Sequence, residues 1–280
     1  MNDNNQNSPG RNVSLTGMKN LFWSLSIIIC LAAVAVGLIF ATFHRNYGEK
    51  ISFTPELEAK ENASGIVLGE GSGNSRGILN TLTETEDAGQ AYIDSLTFLV
   101  DSSFIALRDM QLVGPNQVWA TMSGSMSMEK VHTANIRFPN DGSEISAASA
   151  AMVSQPEILV IGIGMDGLTK VDETTFLINY ETLINGIQKA SPNTRIICCG
   201  LPSVIPGYTG SDGLSVSAVS DGNDWVQLVC RDTGAYYLEI GEVMCESVQL
   251  LSRFAASNGK TLNRQGIEEF LAYARTHALQ

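Results

Sequence analysis

Ser102 stands where an apolar run, Phe98-Leu99-Val100, passes through Asp101 into a helical stretch. A serine on a strand-to-helix turn can attack a carbonyl carbon while nearby backbone N–H groups hold the oxyanion that forms. Ser102 or its neighbour Ser103 can equally cap a helix. Nucleophilic use requires a general base, and the chain contains three histidines, His44, His132 and His277. His44 adjoins a long apolar segment. His277 lies near the end of the last helical stretch, about four turns past Thr261 and so roughly 20 Å along the axis. All three are expected on the solvated surface, with His132 kept open as a partner for Ser102. Asp101, Asp166 and Asp172 are candidates to line the same cleft, although loop solvation and helix capping are their expected roles.

Gly162-Ile163-Gly164-Met165-Asp166-Gly167 matches the spelling that cradles a dinucleotide pyrophosphate. It follows the third apolar run rather than the first, and the next run ends Cys-Cys-Gly-Leu-Pro with no acid to bind a ribose. The glycines are expected to make a tight turn at the floor of the cleft, and no cofactor is expected. Of five cysteines, Cys30 lies in the apolar segment near the start. The others form no CxxC and no Cys/His cluster, so no metal site is expected. Cys198 and Cys199 read as small hydrophobes in a buried strand. A net charge of −12 argues against a nucleic-acid partner, which needs a basic surface to displace counterions.

The elements that must position these groups are legible as a pattern. Residues 1–20 are polar and Asn-rich, a short disordered tail expected in the cytoplasm. Leu21 to Phe43 carries no charge and is long enough to cross a hydrocarbon core of about 30 Å at about 1.5 Å per residue. It reads as an uncleaved signal anchor, with the tail inside and the following chain in an extracytoplasmic position. Basic residues are nearly balanced across it, so the short tail and long following domain set this orientation. Residues 44–90 read as a flexible acidic spacer, and 91–280 as one globular domain.

Within that domain apolar strands are expected at 97–101, 117–121, 157–163, 194–199 and 236–239. Helices are expected near 103–112, 143–154, 172–190, 216–232, 242–256 and 264–278. In 172–190, Phe176, Leu177, Tyr180, Leu183, Ile184 and Ile187 recur at helical spacing behind Asp172 as N-cap. Alternating strands and helices with continuous apolar strands indicate a parallel sheet covered on both faces. Ligands of such sheets bind outside the carboxyl ends of the strands.

The residues at those ends carry a resemblance. Tyr92-Ile93-Asp94-Ser95 followed by Phe98 to Ser103 is similar to the opening block of the SGNH/GDSL hydrolases, in a bacterial membrane-anchored branch of that superfamily. Thr121 to Ser125 falls on its second block, Ile158 to Asp166 on its third, and Ile196 to Pro202 on the following strand and exit. Asn223 matches an asparagine that opens the next helix. Asn258 to Gly266 falls on the last block, ordinarily Asp-Gly-x-His-Leu-Asn-x-x-Gly. The resemblance spans about 91–278. It implies a three-layer α/β/α, flavodoxin-like (SGNH-type) fold with a parallel five-stranded sheet, here preceded by one transmembrane helix. It also implies Ser102 as nucleophile and Gly124 as an oxyanion donor, with Gly162 and the third block at the cleft.

The departures decide the expected function. Val100 replaces a glycine, and Gly164 stands where the oxyanion asparagine belongs. Asn258 and Thr261 occupy the positions of the catalytic aspartate and histidine. Threonine is no base near neutral pH, and losing a triad member costs about 10⁴–10⁶-fold. A missing oxyanion donor costs about 2.7–4 kcal/mol. Three readings stand. The first is a catalytically impaired module that binds a cell-surface glycan or peptide. The second is an active serine esterase or acyltransferase on cell-surface carbohydrate, with His132 beside Ser102. The third is a structural envelope protein whose cleft has filled in, as the bulk of Val100 would suggest.

Overall fold

The structure, a computed structural model, describes residues 80–280, all within the compact unit Ser72–Gln280. The expected tail, the anchor at 21–43, His44 and most of the spacer lie outside the described residues. Among the described residues no helix is long and apolar enough to cross a membrane.

The chain runs through α1 (Gly89–Ser95), β1 (Leu96–Val100), α2 (Ala106–Asp109), β2 (Val118–Trp119), β3 (Asn135–Arg137), β4 (Glu144–Ser146) and α3 (Ala147–Ser154). It continues through β5 (Ile158–Gly162), α4 (Glu173–Ala190), β6 (Arg195–Cys199), α5 (Val216–Thr233) and β7 (Tyr236–Leu238). It ends with α6 (Gly241–Met244), β8 (Cys245–Glu246), β9 (Gln249–Leu250) and α7 (Arg264–Thr276). Five strands pair in parallel in the order β2-β1-β5-β6-β7. The chain leaves β1 to make β2 on one side and returns to make β5 on the other. The switch point, where ligands of open sheets bind, therefore lies between the exits of β1 and β5.

Apart from Thr97 of β1 and Arg195 of β6, the strands are apolar because each is buried on both faces. Leu99, Leu159, Ile161, Ile196, Cys198 and Tyr237 enter a core shared with α3, α4 and α5. Their strand neighbours Phe98, Val100, Ile158, Val160, Ile197, Cys199 and Leu238 enter a second core shared with α1, α2, α6 and α7. This alternation of period two makes the three layers. Val100 thus packs into the second core.

Helix α4 shows how the outer layers are built. The side chain of Asp172 accepts from the Thr175 N–H and caps the helix, as expected. Phe176, Tyr180, Leu183, Ile184 and Ile187 form its buried face, each contributing about 1.5–3 kcal/mol on leaving water. Pro192 disfavours helical geometry at Ser191, and the helix ends there.

Three expectations are corrected. The predicted helix 242–256 is only Gly241–Met244, after which β8 and β9 form an antiparallel hairpin. Ser247 and Val248 make its turn at φ 47° and 62°. The Leu250 N–H donates to the Val204 carbonyl and draws the segment onto the β6 exit instead. Part of the predicted helix 143–154 is strand, because 144–146 pairs with 135–137. The stretch expected as the helix 103–112 is helical only over Ala106–Asp109. Ahead of these elements, residues 80–82 pair with the last sheet strand. The Tyr237 N–H donates to the Asn80 carbonyl, and the Leu82 N–H returns to the Tyr237 carbonyl, covering the free edge of β7.

Candidate active site

Strand β1 delivers Asp101 to the switch point, and every atom that matters there is organised around its carboxylate. Asp101 is fully buried. One oxygen, Oδ1, accepts from the Ser103 N–H at 2.9 Å and from the Ser103 hydroxyl. The other, Oδ2, accepts three consecutive backbone donors from the loop after β5. These are the N–H groups of Gly164 (3.0 Å), Met165 (3.0 Å) and Asp166 (3.2 Å). Gly164 makes the wrap possible. Its φ is +137°, and a Cβ there would lie 2.7 Å from Leu201 Cδ2, so only glycine fits. Burial, and then the charge of Asp166, push the Asp101 carboxyl up to about 6, against the hydrogen bonds that favour its charged form.

The wrapped loop aims Asp166 at Ser102. The Ser102 hydroxyl donates to Asp166 Oδ1 at 2.6 Å. Asp166 Oδ2 accepts the Ser102 N–H at 3.1 Å and the Met126 N–H at 2.9 Å. Met126 is held in place from its own segment. The Met128 N–H donates to the Asp166 carbonyl at 2.8 Å, and the Asn179 amide of α4 donates to the Met128 carbonyl at 2.8 Å. Asp166 is therefore the side chain bonded to Ser102, not the solvated loop residue its position suggested. No sequence signal marks Met126, since the atom that matters is a backbone nitrogen.

Among the expected site residues, Gly124 turns at φ +78°, but its N–H donates to the Thr121 carbonyl at 3.1 Å. The donor that this loop sends to the site is Met126, two residues on. Gly162 passes its carbonyl to the Asp101 N–H at 3.0 Å, and a Cβ there would lie 2.7 Å from the Phe104 ring. Of the three glycines of the dinucleotide-like spelling, Gly162 thus serves close packing and Gly164 a turn.

The segment Asn258 to Gly266 docks beside Ser102 through the Leu262 N–H, which donates to the Ser103 carbonyl at 2.9 Å. Within it Asn258 and Thr261 bond to each other. Asn258 Oδ1 accepts the Thr261 N–H at 3.0 Å and the Thr261 hydroxyl at 3.1 Å. Between them Lys260 reaches Asp212 at 2.6 Å, and the Tyr208 hydroxyl donates to the same carboxylate at 2.8 Å. Asn223 lies within α5 rather than at its start, where it accepts the Leu201 N–H at 2.6 Å and pins the β6 exit.

The histidines divide. His132 lies exposed in the short turn Val131–Thr133, and no histidine among the described residues bonds to Ser102. His277 is buried at 8% exposure, stacked on Tyr273 with ring centroids 3.8 Å apart. The solvated role expected of it is wrong, because the stretch 80–85 packs over that end of α7. A groove of about 560 Å³ opens there, lined by Glu84, Glu242 and His277 among others, and Ser102 is not among its lining residues.

No protein-family model matches the chain, and no curated protein does. Among solved structures it is similar to a protein described as a platelet activating factor from Streptococcus pneumonia, at 14% identity and a TM-score of 0.48, covering 65% of this chain and 81% of that one. It is similar to a GDSL-like lipase from Parabacteroides merdae at 18% identity and a TM-score of 0.40, covering 47% of this chain and 64% of that one. It is also similar to a carbohydrate esterase family 3 protein from Talaromyces cellulolyticus at 8% identity and a TM-score of 0.40, covering 64% and 91%.

Proposed function

We propose that this chain, whose fold is SGNH/GDSL-hydrolase-like, is a catalytically silent module that binds a cell-surface glycan or peptide. Residues 21–43 would hold it at the membrane with the domain outside the cytoplasm. One observation carries the silence. At the positions of the general base and its orienting acid, Thr261 and Asn258 donate and accept between themselves, and the nucleophile-position hydroxyl is bonded to a carboxylate instead. A carboxylate is ordinarily a weaker base than an imidazole by about 2–3 pH units. The serine alcohol gains little nucleophilicity from it.

The same bond favours a second reading, an active serine esterase or acyltransferase on cell-surface carbohydrate. In it Asp166 takes the Ser102 proton as the hydroxyl attacks the acyl carbon. The carbonyl pair shifts to oxygen and returns to break the ester C–O bond, and Asp166 passes the proton to the departing sugar oxygen. One assay separates the two. The full chain in detergent micelles is given p-nitrophenyl acetate and acetylated sugars beside its Ser102→Ala variant. The silent module gives the same background rate in both, whereas turnover lost with the serine establishes the esterase.

A further inference from the structure

Three donors converge on the Asp166 carboxylate from two separate segments. Two backbone N–H groups, of Ser102 and Met126, meet at a single oxygen, 3.1 and 2.9 Å away. A serine hydroxyl meets the other oxygen at 2.6 Å. Two backbone donors aimed at one oxygen beside a serine hydroxyl is the geometry that receives the oxygen of a carboxylate or of an acyl group under attack. Here it is already full.

We propose that these three donors form a built carboxylate-binding cradle whose resident ligand is the chain's own Asp166, and that removing this side chain opens the cradle to small monocarboxylates such as acetate. The proposal deepens the silent-site reading and rests on it. Besides lacking an imidazole, the serine faces a cradle with no room for a second acyl oxygen.

The occupant is held from behind. Asp101 grips the N–H groups of Gly164, Met165 and Asp166, so the side chain of Asp166 leaves a backbone whose direction is set independently of the cradle. The Met128 N–H bonded to the Asp166 carbonyl keeps the donor segment in register with it. Neither grip uses the Asp166 carboxylate. The donors should therefore stay near their places when it is removed, which makes the cradle testable in trans. An occupant on the same chain competes with any free ligand, and the apparent affinity of a site falls by the fraction of time it is open.

The test compares the full chain in detergent micelles, ¹⁵N-labelled at serine and methionine, with Asp166→Gly and Asp166→Asn. Each is titrated with sodium acetate while the Ser102 and Met126 amide resonances are followed. Asp166→Gly should bind acetate at least about tenfold more tightly than the wild type, with both amides moving together. Asp166→Asn, whose carbonyl can still accept from both N–H groups, should show no gain.

Equal acetate affinity in wild type and Asp166→Gly overturns the proposal. So does a folded Gly variant whose two amides ignore acetate, or an Asn variant that gains as much as the Gly variant. The wild type alone supplies an independent check if the Gly variant does not fold. Its Ser102 and Met126 amides should resist hydrogen exchange, and exchange as fast as free surface amides refutes the occupied cradle. Serine-dependent ester hydrolysis by the wild type would instead sink the silent-site reading. The acetate titration reports on occupancy alone.

Discussion

Asp101→Asn keeps the shape of a buried side chain while removing its charge, and the cost should depend on pH. In the wild type, burial and the nearby Asp166 charge raise the Asp101 carboxyl from its ordinary 3.8 to about 6. A carboxyl raised on folding binds its proton more tightly in the native chain than in the unfolded one. Its stabilising contribution is then complete below about pH 4 and is lost as pH climbs through about 6. The interval from 3.8 to about 6 corresponds to about 3 kcal/mol. Asparagine has no such term, so subtracting its stability cancels most of what other groups contribute. It has its own fixed cost. Whichever way its amide turns, an NH₂ faces either the Ser103 N–H or the three N–H groups of Gly164, Met165 and Asp166. One unpaired buried donor costs about 1–3 kcal/mol.

Urea unfolding of both proteins, followed by tryptophan fluorescence between pH 4 and pH 7.5, should show the wild-type advantage shrinking by about 3 kcal/mol across that range. Parallel stability curves would refute the reasoning. They would mean that five hydrogen bonds outweigh burial and hold the Asp101 carboxyl at or below its ordinary value.

Two further perturbations test the core and the site. Ile184→Ala on α4 removes a fully buried side chain and should destabilise the domain by about 2–5 kcal/mol in the same unfolding assay. Rebuilding the last block with Asn258→Asp and Thr261→His should not by itself give serine-dependent hydrolysis of p-nitrophenyl acetate, because Asp166 still fills the cradle. Adding Asp166→Gly to that pair should raise the rate at least about 10²-fold, the worth of restored oxyanion donors, and equal rates in the double and triple variants would count against the filled cradle.

Much of the architecture could be read without coordinates, and the reason is burial. A strand covered on both faces must be apolar at nearly every position, which marked the five sheet strands to within a few residues. A helix covered on one face must repeat its apolar residues at helical spacing, which marked α4 and its Asp172 cap. The order of those elements placed Ser102 at the end of β1, beside the switch point. Patterns of this kind fail where burial is not periodic. The hairpin at 245–250 turns through Ser247 and Val248 with no glycine to announce it, and residues 80–85 join the domain largely through backbone bonds of a polar stretch.

The amino-acid order by itself determined the sheet, its covering helices and the presence of Thr261 and Asn258 where the resemblance leads one to expect histidine and aspartate. What fills their place was decided only in three dimensions. Asp166 meets Ser102 because Asp101, more than sixty positions earlier, grips the backbone of its loop. The third partner is a main-chain nitrogen that any residue at position 126 other than proline would supply. Contacts between distant segments, made through groups common to nearly every residue, leave no mark in composition or spacing, and only packing brings them together.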